Sequence, residues 1–341
     1  MQIQEFNQYV KDHIREYLPP EYETARVSIH EVIKSNDRML SGLTILRDGE
    51  NFSPTVYLEP FAEQVAQGRS LEDALREIAE IQTIHHAHTP VEVSTFMDYE
   101  AVRPMLSMKL CDPETNRDYL KDKPHIPCGD LAVFYRIQVE RTEDGIAAAA
   151  ITNNLLESWG ITKDQLHKDA VQAENARNPV RFYSMEDVMT EMMGLAEPDN
   201  LFDRQAPLPL DFTPMYVLTN PDKVDGAAVL ARDGVPEKIG ELVGGNYFVL
   251  PSSVHEVLIV PDNGNMQAKE LADMVKEINR TQVSPEERLS DKVQYYDRET
   301  GQLGHKQEKS VMGLLAEHKE QIRQSDAIPK EKQSHKSEPS L

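Results

Sequence analysis

Two hydroxyls, an imidazole and a carboxylate stand together at Ser252, Ser253, His255 and Glu256, inside the stretch YFVLPSSVHEVLIVP (247–261). A serine nucleophile, a histidine base and a carboxylate that orients it are the parts of an acyl-transfer hydrolase. The spacing argues against that chemistry. The three groups must converge, whereas residues this close in one hairpin point where the hairpin sends them. No G-x-S-x-G elbow surrounds either serine. A structural reading stands beside the catalytic one. Pro251 sets φ, the serine hydroxyls bond local backbone, and His255 is a partly buried strand residue on the face of Val257 and Ile259. Glu256 then shares the other face with Leu258.

Three other groups have reactive side chains. His85 and His88 share a helix face and, with a third ligand from elsewhere, suit a metal. The simpler reading of His85-His86-x-His88 is a polar helix end, where imidazolium meets the negative pole of the dipole before Thr89-Pro90. Cys111 and Cys128 are too far apart for a C-x-x-C pair. His125, three residues before Cys128, is the one nearby activating group, so small buried thiols are expected. The run Glu186, Asp187, Glu191, Glu197, Asp199, Asp203 lacks calcium-loop spacing and reads as a solvated face. Neither G-x-G-x-x-G nor G-x-x-x-x-G-K-[ST] occurs, so no cofactor is expected.

The bulk composition narrows the classes. The chain has 341 residues and a formal net charge of −22. That balance disfavours direct nucleic-acid binding, which needs cations against phosphate, and disfavours anionic membrane surfaces. No basic run occurs before the tail. Two cysteines exclude a disulfide-dense secreted scaffold. The N-terminus lacks the layout of a signal peptide, and no apolar run approaches a membrane span, so a cytoplasmic protein is expected.

The elements that must position these groups follow from periodicity. Ile3, Phe6, Val10, Ile14 and Tyr17 predict an amphipathic helix ending at Pro19-Pro20. ARVSIHEVIK (25–34) and GLTILRD (42–48) predict a hairpin, with TVYL (55–58) as a third strand. A helix from Pro60 breaks at Gly68 and restarts at the S-x-x-D cap of Ser70 and Asp73. MLSMKLCD (105–112), DLAVFYRIQVE (130–140) and IAAAAIT (146–152) read as strands. NNLLESWG (153–160) is a helix stopped by Gly160, and 163–177 a polar, surface-lying helix. RFYSMEDVMTEMM reads as helical, and 195–214 as a linker. MYVLTN (215–220) and GAAVLA (226–231) predict one hairpin, and NYFVL with VHEVLIV another around the serines. Helices are expected at 234–244, at 267–280 and after the capping box of Ser284 and Glu287. KVQYYD and QLG predict a last hairpin. The fold class is α+β, antiparallel sheets built from β-hairpins with packed amphipathic helices and a flexible C-terminal tail. The expected division is 1–205, then a ββαββα-like region at 206–304, then the tail at 305–341. In the tail Val311, Leu314, Leu315 and Ile322 suit a short terminal helix.

The segments MYVLTN, GAAVL, YFVLPSSVHEVLIVP, MVKEIN (274–279), PEERLSD (285–291) and YYDRETG (295–301) closely resemble the family known as domain of unknown function 5688. The similarity extends to SGLTILRDGENFSPTVYLEPF (41–61), PHIPCGDLAVFYRIQVE (124–140) and NNLLESWGIT (153–162), covering about residues 1–303. Two positions depart from the family pattern: Glu59 stands where asparagine is frequent, and Cys128-Gly129 replaces bulkier residues. The resemblance implies a cytosolic protein of anaerobic gut bacteria, often carried on mobile elements. It implies no activity.

Two functional readings result. The first is a non-enzymatic interaction or accessory protein with an unknown protein partner; its sharper form is a nucleic-acid mimic with carboxylates ranked on one face. The second is a hydrolase in which His255 and Glu256 converge on Ser252 or Ser253, with Asp130 or His125 in support.

Overall fold

A hairpin of β-branched and aliphatic residues makes the N-terminal layer. In the computed structural model, β1 (Arg26–Lys34) pairs antiparallel with β2 (Arg38–Leu46), and β2 with β3 (Thr55–Tyr57). The turn Ser35–Asp37 is shorter than the sequence suggests, because Asn36 and Asp37 take positive φ. Asparagine and aspartate tolerate that region better than most residues. Helices Ile3–His13, Glu59–Ala66 and Leu71–His88 lie against this sheet. Phe6, Val10, Leu43, Ile45, Leu75 and Ile78 form their shared core. The predicted caps are present: Ser70 Oγ accepts from Asp73 N at 3.1 Å. Glu59 accepts the Ser41 N–H at 2.6 Å, which ties the helix start to the sheet.

The second sheet holds β4 (Leu106–Cys111), β5 (His125–Cys128), β6 (Leu131–Thr142) and β7 (Gly145–Ala150), all paired with β6. One face carries Met108, Leu110, Val133, Tyr135 and Ile137 into the largest core. The other carries Cys111, Ala132 and Phe134, covered by Tyr119 and Leu120. Gly129 holds φ +60°, and a Cβ there would stand 1.9 Å from Gln294 Oε1.

The third sheet runs β13-β12-β10-β11-β9-β8, using β8 (Arg181–Ser184), β9 (Tyr216–Thr219), β10 (Tyr247–Leu250), β11 (Val257–Pro261), β12 (Gln294–Asp297) and β13 (Gln302–Gly304). All its pairs are antiparallel. Tyr247, Val249, Val257 and Ile259 face the large core. Phe248, Leu250 and Val260 face helix Ala268–Thr281, whose Leu271 and Val275 are buried. Burial on both faces explains the unbroken apolar runs. The Q-x-x-E box at Gln267 and Glu270 starts that helix. The α+β class with antiparallel sheets is therefore what the chain adopts.

Several local expectations are corrected. Gly226–Ala231 is a short 3-10 helix, not a strand. β9 is already paired on both sides, by β8 and β11, so no edge remains for a hairpin partner. The stretch at Ser284 makes a single turn, with Glu287 N and Arg288 N both donating to Ser284 O. It stops there because Arg288 bridges Ser253. RFYS is a strand, and helix Met185–Met192 begins only after it.

Helix Lys163–Arg177 keeps an exposed face, Lys163, Asp164, Lys168 and Gln172, but buries a second face that carries His167, Asp169 and Glu174. Its polar core residues have distant partners: Tyr99 Oη donates to Asp169 at 2.6 Å, and Arg232 pairs with Glu174 at 3.1 Å. His167 Nδ1 stands 3.1 Å from the Tyr135 hydroxyl. Burial pulls the His167 pKa down, with Asp233 and Asp164 opposing. His167 thus resists protonation when folded and accepts it when unfolded. Its contribution is full above the ordinary value of 6.5 and is lost as pH falls through the lowered folded value. His167→Gln is expected to reduce the loss of urea midpoint between about pH 7.5 and about pH 5. An unchanged pH dependence would contradict this.

The structure describes residues 1–306, except 51–52, 89–92, 143–144, 196–197, 210–214 and 265, and excluding the side chains of 85–88, 93, 140–142 and 145–147. Met1–His305 form one compact unit. The terminal helix expected around Val311–Ile322, and part of the 195–214 linker, lie outside the described residues. No helix among them is long and apolar enough to cross a membrane.

Candidate functional site

The connection from β10 to β11 is wider than a tight turn. The last ladder pair is Leu250 with Leu258, so Pro251–Glu256 form a loop and β11 begins at Val257. His255 and Glu256 therefore stand before the strand, not on its two faces. Backbone bonds stitch the loop to two distant segments. Ser290 N donates to Pro251 O at 2.9 Å, Leu289 N to Ser252 O at 3.1 Å, and Val254 N to Glu287 O at 2.9 Å. On the other side Ala227 N donates to Val254 O at 3.1 Å, and Thr219 Oγ1 to His255 O at 2.8 Å. Gly226 permits that contact: it sits where a side chain would strike the His255 carbonyl.

Ser252, Ser253, His255 and Glu256 line one cleft of about 380 Å³, with Glu287 and the apolar side chains of Leu258, Ile278 and Val283. So the loop does bring the four residues to a common space. Glu287 is the member that local sequence did not indicate, since it arrives from 31 positions beyond Glu256.

The hydrogen bonds decide what the cluster can do. Asp225 N–H donates to His255 Nδ1 at 3.2 Å. That nitrogen is therefore an unprotonated acceptor, and the neutral ring carries its proton on Nε2. Nε2 stands 3.3 Å from Glu287 Oε1 and donates to it. In a hydrolase the histidine lone pair accepts the nucleophile's proton, while the other ring nitrogen donates to a carboxylate. Here the carboxylate is present, but a backbone amide occupies the nucleophile's position. Ser253 Oγ accepts from His255 N at 3.0 Å, a local serine turn.

The two carboxylates differ. Burial pushes Glu256 up, partly offset by His255 and a hydrogen bond from Ser253. Hydrogen bonding from Ser284, then burial in the opposite sense, then His255 leave Glu287 below its ordinary value. Glu256 thus takes a proton more readily than Glu287.

The other candidates fall elsewhere. Asp130 pairs with His305 at 3.2 Å, and His125 Nδ1 lies 2.8 Å from Lys123 O; neither lines this cleft. Burial pushes the thiols of Cys111 and Cys128 up to about 12, so neither is a thiolate at neutral pH. In the acidic run, Ser184 donates to Asp187 at 2.7 Å, Lys223 pairs with Glu191 at 2.8 Å and Asn200 donates to Asp203 at 3.0 Å. The side chains of His85, His86 and His88 lie outside the described residues. Among the described residues no group of three His, Cys, Asp or Glu could hold a metal.

Comparison with known families gives one match: the model of a family of unknown function, DUF5688, fits residues 3–298. No curated protein and no solved structure matches the chain.

Proposed function

We propose, for a chain that belongs to DUF5688, that it acts as a non-enzymatic interaction or accessory protein and that its PSSVHE loop is a structural clamp. The observation that carries this reading is the commitment of both His255 nitrogens, one to a backbone amide and one to Glu287. A base without a lone pair for serine leaves Ser252 and Ser253 as ordinary hydroxyls. The clamp joins three separated segments, 225–227, 251–256 and 287–290, which suits a rigid surface offered to a protein partner. The cytosolic setting, and the link to mobile elements that the family resemblance implies, belong to the same proposal. Two unpaired cysteines support a reducing compartment.

The hydrolase reading keeps one supporting observation, the Glu256 carboxyl, which burial holds above its ordinary range, beside Ser253 in a cleft. A fluorophosphonate probe, which labels activated serines, separates the two. The expected result is no adduct at Ser252 or Ser253 by peptide mass spectrometry, in a sample where a bona fide serine hydrolase labels fully. An adduct at either serine that His255→Ala abolishes would establish the hydrolase instead.

A further inference from the structure

The chain carries a net charge of −22 and no basic run before its tail, yet the fold gathers four cations round one cleft. Lys34, Arg38, Lys109 and Arg136, with Tyr119 and Glu286, line a space of about 340 Å³. They come from the end of β1, the start of β2, β4 and β6, so only the tertiary structure makes them neighbours. In the β4–β6 register Lys109 stands opposite Phe134, which puts Lys109 and Arg136 on the same face of that sheet. The tip of the β1–β2 hairpin supplies the other two.

The local charges do not balance. Lys109 pairs with Asp225 at 3.0 Å, and Arg136 Nη2 pairs with the same carboxylate, so two largely enclosed cations share one anion. Arg38 pairs with Glu286 at the rim. The Lys34 ammonium sits 4.4 Å above the Tyr57 ring and, among the described residues, makes no ion pair. Among the lining residues four cations face one carboxylate, Glu286; Asp225 pairs with two of them and Glu287 also acts on Lys109, so cations still outnumber their nearby carboxylates. The Nε of Arg136 is buried without a hydrogen-bond partner, and a buried donor left unpaired is unfavourable. Guanidinium and ammonium groups converging on one space suit the oxygens of a tetrahedral oxyanion. The cleft is larger than one such ion and falls in the range of small-molecule sites. The rest of its lining is Ser35 and an apolar wall from Leu40, Ala148 and Ala150.

We propose that the cleft between the β1–β2 hairpin tip and the β4–β6 face binds the phosphate group of a small phosphorylated molecule. Arg136 and Lys109 form its floor, Arg38 and Lys34 its rim, and the apolar wall accommodates the body of the ligand. This site adjoins the PSSVHE clamp through Asp225, whose carboxylate pairs with Lys109 and Arg136 and whose N–H donates to His255, but none of its four cations lines the cleft of the clamp.

The test is calorimetric titration of the full chain in phosphate-free buffer with two probes, inorganic phosphate and phenyl phosphate, against potassium chloride at matched ionic strength. Saturable binding of phenyl phosphate is expected, weakened about tenfold or more by Lys34→Ala and by Arg38→Gln, each of which removes one charge-assisted contact. Both changes lie at the rim, and unchanged melting in buffer alone will show that they leave the fold intact. Phenyl phosphate is expected to bind more tightly than inorganic phosphate; equal binding of the two probes would show that the apolar wall contributes nothing and would overturn the assignment of a phosphorylated small molecule in favour of free phosphate. Heats that match potassium chloride, no saturation with either probe, or affinity unchanged in both variants would overturn the proposal.

Discussion

Replacing Gly226 with alanine is expected to destabilise the protein by about 3 kcal/mol, the upper end for overpacking a closed interior. The added Cβ would stand 2.2 Å from Thr219 Oγ1, 2.4 Å from His255 O and 2.9 Å from Asn220 N. Two of those three neighbours are backbone, which cannot swing aside as a side-chain tip can. The first belongs to the hydrogen bond from Thr219 to the His255 carbonyl, so the methyl group would be driven between donor and acceptor. The consequence reaches the clamp, because Ala227 N, next in the chain, holds Val254 O. Urea unfolding measures the loss. Gly245→Ala is the control: nothing lies within 4 Å of its added Cβ and its φ is ordinary, so a change within about 0.5 kcal/mol is expected. Equal effects at the two positions would contradict the steric account.

The second large effect is expected at the buried ion pair beneath helix Lys163–Arg177. The side chains of Arg232 and Glu174 are only 2% and 8% exposed. Arg232 also donates to Asn175 Oδ1 at 3.1 Å and to Asn178 O at 2.7 Å. Glu174→Met strands a buried guanidinium and is expected to cost about 3–5 kcal/mol. Arg232→Met should cost less, since Glu174 keeps Arg177 at 3.2 Å. The double variant should recover much of the loss, because replacing both charges with apolar groups removes the desolvation penalty along with the attraction. Additive losses in the double-mutant cycle would show that the two charges are not coupled.

The legible parts of this fold are those whose burial is one-sided. β1 and β2 are β-branched and aliphatic runs joined by an Asn-Asp turn, helix Ala268–Thr281 repeats Leu271 and Val275 behind a Q-x-x-E box, and the strands flanking Arg298–Gly301 enclose an evident turn. Helix Lys163–Arg177 misleads because its buried face carries His167, Asp169 and Glu174, and their partners Tyr135, Tyr99 and Arg232 are remote in sequence. Gly226–Ala231 looks like a strand until β9 is seen paired on both edges. At the clamp the four local residues are visible in the sequence, but the two groups that fix the role of His255 are not. One is a backbone amide at Asp225, which no side-chain pattern announces; the other is Glu287, brought in by the bridge of Arg288 to Ser253. The basic cleft is hidden for the same reason, since its four cations are spread from position 34 to position 136.

The tautomer of His255, read from the nitrogen shifts of its ring in the labelled protein at neutral pH, tests the clamp most directly. The account predicts a proton on Nε2, bonded to Glu287, and an unprotonated Nδ1 that accepts the Asp225 amide. A ring protonated on Nδ1, with the Nε2 lone pair turned to a serine hydroxyl, would contradict the clamp and restore the catalytic reading of PSSVHE.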